Sequence, residues 1–131
     1  MIVSLVDSGP LVALYDSSDK FHKRVREFLK KFKGNLVSTW AVVTEVLYLL
    51  SFSNEAQISF LEWVEVRGIQ IKEIELTDLH YIKTGLKKYS DLPMDFADST
   101  LMAIAEKEKI NKIFTIDKDF SIYKKKDGKT L

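Results

Sequence analysis

The sequence contains no cysteine among its 131 residues, which excludes disulfide bonds and thiolate-held metal centres. A metal bound by side chains would have oxygen ligands, or nitrogen from one of the two histidines, His22 and His80. Oxygen ligands suit hard cations, so magnesium or manganese is favoured over zinc.

Long apolar runs are also missing, so no segment is expected to span a membrane. The first seven residues, MIVSLVD, carry no basic start and no small-residue cleavage site. They are typical of a buried strand rather than of a signal peptide. We therefore expect a cytoplasmic protein.

Charge of one sign is not in excess, since the formal net charge is +1, with 46% hydrophobic and 30% charged residues. This composition predicts one globular domain over residues 1–131. Residues 1–33 hold seven Lys or Arg against four Asp or Glu, and residues 112–131 hold six against three. Basic ends are compatible with a polyanion partner, although a solvated surface is the more common cause.

Hydrophobic periodicity predicts alternating strands and helices. We expect strands at 2–6, 36–38, 69–76 and 112–117, and helices at 20–32, 40–50, 54–66, 77–89 and 94–109. Residues 7–10, Asp-Ser-Gly-Pro, predict a turn after the first strand. In helix 54–66 we expect Ile58, Leu61 and Val64 to face inward. The alternation predicts an α/β domain with a mostly parallel central sheet covered on both faces.

Two of these strands run directly into aspartate, because Asp7 follows Val6 and Asp117 follows Ile116. Ligands of such sheets bind at the carboxyl ends of the strands. Both carboxylates would lie at that edge, although they are 110 residues apart in sequence.

Two further acids, Glu45 and Asp98, occur within apolar segments. A lone buried carboxylate costs several kcal/mol or has a shifted pKa. No Lys or Arg lies three or four positions from Glu45 to form a pair with it. A divalent cation shared by Asp7, Glu45, Asp98 and Asp117 would remove this cost. Such a cation activates water and neutralises charge on a phosphodiester.

Each acid alone has a simpler explanation. Asp7 could cap a helix after Gly9, Asp98 could be a first-turn acid favoured by the helix dipole, and Asp117 could be a turn residue. Glu45 is the hardest to explain in this way, and the joint occurrence of the four favours a metal site. His22, His80, Trp40 and Trp63 are expected to be structural, with both tryptophans in the core.

Four segments together resemble the PIN-domain family, and most of all its VapC-type toxins. They are Val6-Asp7-Ser8-Gly9-Pro10-Leu11, Thr44-Glu45, the stretch 95–105 (DFADSTLMAIA) and the stretch 115–120 (TIDKDF). The start of the second helix, Asp19-Lys20-Phe21-His22, is similar too. Any one motif is loose, but their order and spacing agree across nearly the whole chain.

The resemblance implies a three-layer α/β/α PIN-like domain and a magnesium- or manganese-dependent endoribonuclease acting on single-stranded or structured RNA. It implies that Asp7, Glu45, Asp98 and Asp117 are both the metal ligands and the catalytic residues. Four more residues are expected as supporting side chains around them: Ser8, Asp95, Thr115 and Asp119. Asp119 could instead be only a turn residue before Phe120. It also implies a homodimer and a separately encoded antitoxin partner.

Two other classes of function compete with this one. A catalytically silent PIN-type module that binds RNA or a protein partner would not need the four acids. The second class is an acidic-pocket phosphotransfer protein, either a receiver or a haloacid-dehalogenase type. A receiver needs an acid pair after its first strand, which this sequence lacks. A haloacid dehalogenase needs a second Asp two residues after the first. Asp7 is followed by Ser8 and Gly9 instead, which argues against that class.

Overall fold

The computed structural model describes residues 2–91 and 95–116, in which short strands alternate with helices. The strands are β1 (Ile2–Val6), β2 (Gly34–Ser38), β3 (Gln70–Ile71) and β4 (Ile113–Phe114). The helices are α1 (Ser8–Tyr15), α2 (His22–Lys31), α3 (Trp40–Leu49), α4 (Asn54–Glu65), α5 (Leu79–Lys88) and α6 (Phe96–Glu108), with a 3₁₀ turn at Leu76–Asp78 before α5. Within these residues, no helix combines the length and the apolar character needed to cross a membrane.

The four described strands form one parallel sheet in the order β3-β2-β1-β4. The central strand β1 pairs Leu5 with Val37 of β2 on one side and with Ile113 of β4 on the other. The chain forms β1, then β2 and β3 on one side of it, and finally β4 on the other side of β1. Right-handed crossovers would therefore place the helices before β3 and those after it on opposite faces. The α/β class predicted from the sequence is confirmed.

The sheet and the helices enclose one core cluster. Leu5 and Val6 of β1 are fully buried, and so are Val42 of α3 and Leu101 of α6. The start of β2 requires glycine, because a Cβ on Gly34 would lie 2.2 Å from the carbonyl oxygen of Ile2 in β1. The tight packing of β2 against β1 thus depends on this missing side chain.

The predicted turn at residues 7–10 is wrong, because these residues begin helix α1. Asp7 is the N-cap, and Gly9 and Pro10 lie in the first helical turn. Proline is tolerated there because the first backbone N–H groups of a helix have no intrahelical partner. The helix therefore follows β1 without an intervening loop.

Two further expectations fail in the segment after α3. Strand β3 is only two residues long rather than covering 69–76, and the chain turns into the 3₁₀ segment instead. In α4 the buried face is formed by Phe60 and Val64, whereas Ile58 and Leu61 are 50% and 40% exposed. A stripe of apolar residues wider than the core contact leaves some of them at the surface.

Candidate active site

Asp7 lies where β1 passes into α1, and its side chain is held from two sides. One carboxylate oxygen accepts a hydrogen bond from the Ser8 backbone N–H at 2.7 Å, which caps α1. The other accepts from the Thr115 hydroxyl at 3.1 Å, just after β4. The capping role considered from the sequence is therefore present. The residue is 4% exposed, so its carboxylate is fixed in a buried position at the carboxyl edge of the sheet.

Glu45 reaches the same place from the middle of α3. Its carboxylate accepts a hydrogen bond from the Ser8 hydroxyl. Burial raises the pKa of Glu45, the Ser8 hydrogen bond opposes this rise, and a hydrogen bond with Asp95 adds to it. The charges of Asp95 and Asp7 raise the pKa further. The acids of three separate elements thus lie within electrostatic range of one another.

Asp98 is the third residue of α6, and Asp95 is the N-cap of that helix. The Asp95 carboxylate accepts a hydrogen bond from the Asp98 backbone N–H at 2.8 Å. Burial is the main cause that raises the pKa of Asp98, the charges of Asp95, Asp7 and Glu45 add to it, and a hydrogen bond from the Asp95 backbone N–H opposes it. Together they raise the pKa to about 8. A first-turn acid that served only the helix dipole would be favoured in its charged form. Asp98 is disfavoured in that form, so its surroundings outweigh the dipole.

The helices that carry these acids are fixed to each other by buried hydroxyl groups, which the sequence reasoning missed. The hydroxyls of Thr39, the N-cap of α3, and Thr100, in α6, lie 2.8 Å apart. The Ser38 hydroxyl instead joins strand β2 to strand β1, because it donates to the Val6 carbonyl at 3.0 Å. A threonine or serine at a strand end is common, so no sequence signal distinguishes these from ordinary polar residues.

The other predicted residues are distributed unevenly. Asp117, the last residue of the predicted strand 112–117, lies outside the described residues, and so does Asp119. Two that the structure describes lie apart from the acids. His22 places Nδ1 2.7 Å from the Ala13 carbonyl oxygen, which is a structural contact. Trp40 is 50% exposed, so its assignment to the core is wrong, whereas Trp63 packs against the core as expected.

The chemistry of the acids fits a cation. Neither Glu45 nor Asp98 forms an ion pair with lysine or arginine in the part of the chain that the structure describes. Within the same residues, no group of three or more histidine, aspartate or glutamate side chains has by itself the arrangement of a metal site. Asp7, Glu45 and Asp98 supply carboxylate oxygens whose negative charges repel one another. Asp117, the fourth acid of the predicted set, lies outside the described residues.

Comparisons with known proteins agree with this fold. The PIN domain family matches residues 4–126. VapC20 of Mycobacterium tuberculosis, a toxin described as cleaving the sarcin–ricin loop, superimposes with a TM-score of 0.81 at 18% identity over 91% of this chain and 92% of that one. VapBC2 of Rickettsia felis, solved with a DNA fragment of its promoter, gives a TM-score of 0.63 at 18% identity over 91% of both chains. No curated protein matches in sequence. The chain has the fold of the VapC proteins and belongs to the PIN-domain family.

Proposed function

We propose that this protein is a divalent-cation-dependent endoribonuclease, the cytoplasmic toxin of a toxin–antitoxin pair. The observation that carries the proposal is the convergence of Asp7, Glu45 and Asp98 at one sheet edge, with no lysine or arginine paired to Glu45 or Asp98 in the described residues. The membership of the PIN-domain family supports it. Among relatives in fold, one is described as a toxin that cleaves the sarcin–ricin loop.

In this proposal Asp7, Glu45, Asp98 and Asp117 hold magnesium or manganese. The bound cation supplies a polarised water and charge neutralisation at a phosphodiester. The described side chains around the acids orient them. Ser8 holds Glu45, Thr115 holds Asp7, and the Asp95 cap fixes the first turn of α6 that carries Asp98. Asp119, which also lies outside the described residues, stays a predicted supporting residue.

The substrate we propose is single-stranded or structured RNA, and the test is a cleavage assay on a mixed RNA pool. We expect cleavage with magnesium or manganese and none after addition of EDTA. Cleavage that continues undiminished in EDTA would contradict the proposal, because a metal-free nuclease needs an acid–base pair of another kind. No cleavage with either metal would favour the catalytically silent module instead.

We further propose that the protein is a homodimer with a separately encoded antitoxin partner. Apolar side chains are exposed at the end of α3, in the following turn and on α4. They are Tyr48, Leu49, Phe52, Ile58 and Leu61, each at least 40% exposed. This set is called the α3–α4 apolar surface below. Single exposed apolar residues are ordinary, but several on consecutive elements are typical of an interface. An adjacent gene for a small DNA-binding protein would support the antitoxin.

A further inference from the structure

Helix α2 carries a strongly basic surface on one side. Its exposed cations are Lys23, Arg24, Arg26, Lys30 and Lys31, and this set is called the basic face of α2. Glu27 is the one acid among the ten residues of the helix. Lys23, Arg26 and Lys30 are spaced by three and four residues, so they lie in one row along the helix.

The opposite side of α2 is anchored in the protein. Val25 is buried, and Leu29 packs against the core. The Phe28 ring lies 4.2 Å from the Phe114 ring of β4, centroid to centroid. The cations on the other side are therefore held facing solvent on a fixed helix.

Among the residues that the structure describes, these cations have almost no partners. In the described part of the chain, the ion pair on this helix is Lys30 with Glu27 at 3.8 Å, and both side chains are more than half exposed. Exposed pairs of this kind contribute about 0–1 kcal/mol. Arg24 lies over the Phe21 ring at 5.7 Å, which leaves its charge intact. The surface is thus available to an anionic ligand.

The position of the cations along α2 is unfavourable for the helix itself. Lys23, Arg24 and Arg26 lie in its first half, and its first turn contains no acid. Cations near a helix N-terminus oppose the macrodipole, whereas Lys30 and Lys31 in the last turn agree with it. Residues that disfavour their own helix are more consistent with binding than with stability.

The acidic site needs cations elsewhere on the surface. Its carboxylates repel an RNA backbone, whose binding to proteins depends mainly on lysine and arginine contacts with phosphates. Helix α2 lies beside this site, because Phe28 contacts Phe114 and the next residue, Thr115, donates to Asp7. A helix is roughly 10–12 Å across, so RNA that leaves the site can reach the outer side of α2 within a few nucleotides.

We propose that the basic face of α2 binds the phosphodiester backbone of the RNA substrate away from the scissile bond, as an anchor that does not read sequence. This inference rests on the proposed ribonuclease function. In this proposal α2 provides affinity for long RNA, whereas the acidic site carries out the cleavage.

Two matched triple variants test the inference. Lys23→Gln/Arg24→Gln/Arg26→Gln removes three charges from α2, and Lys83→Gln/Lys87→Gln/Lys88→Gln removes three exposed charges from α5. Both change the net charge from +1 to −2, because 1 − 3 = −2. Fluorescence anisotropy with a labelled 30-nucleotide single-stranded RNA, in EDTA to prevent cleavage, gives Kd as a function of salt.

We expect the α2 triple variant to bind the long RNA at least about tenfold more weakly at 50 mM salt. The slope of log Kd against log salt should fall by about two, at roughly 0.7 per lost phosphate contact with a single strand. The α5 triple variant should bind like the wild type. With magnesium present, the α2 variant should show a higher KM and an unchanged kcat on the long RNA. It should cleave a dinucleotide normally, because the scissile phosphodiester is the one phosphate that such a substrate contains.

The possible failures are distinguishable. If the wild type cleaves RNA and the two triple variants bind the long RNA equally, the anchor is wrong but the ribonuclease function stands. If the wild type neither binds nor cleaves RNA, the proposed function itself fails. An α2 variant that keeps its RNA affinity but loses binding to polyglutamate would overturn the RNA assignment in favour of an acidic protein partner. A melting temperature of the α2 variant equal to or above that of the wild type excludes misfolding as the cause.

Discussion

The hydroxyl of Ser8 donates a hydrogen bond to the carboxylate of Glu45, which lies 37 positions later in the chain. This bond connects the first turn of α1 to the middle of α3 and helps to orient the Glu45 carboxylate, which also has a hydrogen bond with Asp95. The same bond opposes the rise in the pKa of Glu45 that burial causes. Ser8 therefore has a role that is separate from metal ligation.

The first prediction follows from this contact. Ser8→Ala should reduce RNA cleavage about tenfold, as expected when a hydrogen-bond partner of a metal ligand is removed. The matched control is Ser38→Ala, because Ser38 is also buried but its hydroxyl donates a hydrogen bond to the Val6 carbonyl instead. Equal rates for the two variants, measured under single-turnover conditions, would contradict an orienting role for Ser8.

The second prediction concerns Asp98→Asn, which keeps the shape of the side chain and removes one charge. Burial and the neighbouring acids disfavour the charged form of Asp98, so the variant should melt at the same or a higher temperature than the wild type in EDTA. A gain of 1 kcal/mol corresponds to about 4 °C in a domain of this size. Cleavage with magnesium should be abolished, because the cation loses a ligand.

Asp78→Asn is the control for that experiment, since Asp78 is also an acid at a helix start. Its carboxylate accepts a hydrogen bond from the Lys107 ammonium at 2.7 Å. Neutralising this carboxylate should therefore lower the melting temperature and leave cleavage unchanged. A less stable but fully active Asp98→Asn protein would end the metal-ligand assignment of Asp98.

The third prediction concerns pH and the same Asp78–Lys107 pair. Burial raises the pKa of Asp78, but hydrogen bonds from Lys107 and the Glu75 backbone, with the Lys107 charge, lower it overall below 3.8. The Asp78 hydrogen bond raises the pKa of Lys107 above 10.5. The stability from the pair is therefore complete between these values. It is lost as the pH falls through the folded pKa of Asp78 or rises through that of Lys107.

Urea titrations of the wild type and Asp78→Asn measure this effect. The difference in the free energy of unfolding should be constant from pH 5 to 9, at about 1 kcal/mol or less for a pair near the surface. It should shrink below about pH 3.8 and above about pH 10.5. A difference that grows toward low pH would show that another interaction of Asp78 dominates.

The fourth prediction concerns assembly through the α3–α4 apolar surface. Light scattering at micromolar concentration should give twice the chain mass of 15.1 kDa. Phe52→Lys should give the monomer mass, because a charge buried in an apolar interface is costly. Leu76→Lys, at a residue that is 85% exposed outside this surface, is the control and should remain dimeric. A wild-type mass near that of one chain would contradict the homodimer.

Local sequence patterns predicted much of the fold. Strand β1 and helix α3 have the expected bounds to within one residue, because continuous apolar runs bounded by polar residues leave few alternatives. The start of helix α1 was not predicted, because Gly9 and Pro10 are typical turn residues. The segment Asp7-Ser8-Gly9-Pro10 also fits an N-cap followed by a first helical turn that contains proline.

The sequence predicted the acidic residues of the site, but it did not predict the hydrogen bonds between the elements that carry them. Apolar neighbours indicated Glu45, and strand ends indicated Asp7. The bond from Ser8 to Glu45 depends on how α1 packs against α3, and the Thr39–Thr100 contact depends on how α3 packs against α6. Such packing depends on the whole core, so it cannot be predicted from the spacing of residues along the chain.

The hydrogen bond between Thr115 and Asp7 spans 108 positions and has a consequence for protein synthesis. A ribosome translating this chain releases Asp7 and Ser8 early, whereas Thr115 emerges from the exit tunnel only after nearly everything else described. Strand β4, which brings Thr115 beside Asp7, pairs through just two residues, Ile113 and Phe114. A nascent chain therefore cannot form this hydrogen bond until strand β4 pairs with β1, late in synthesis.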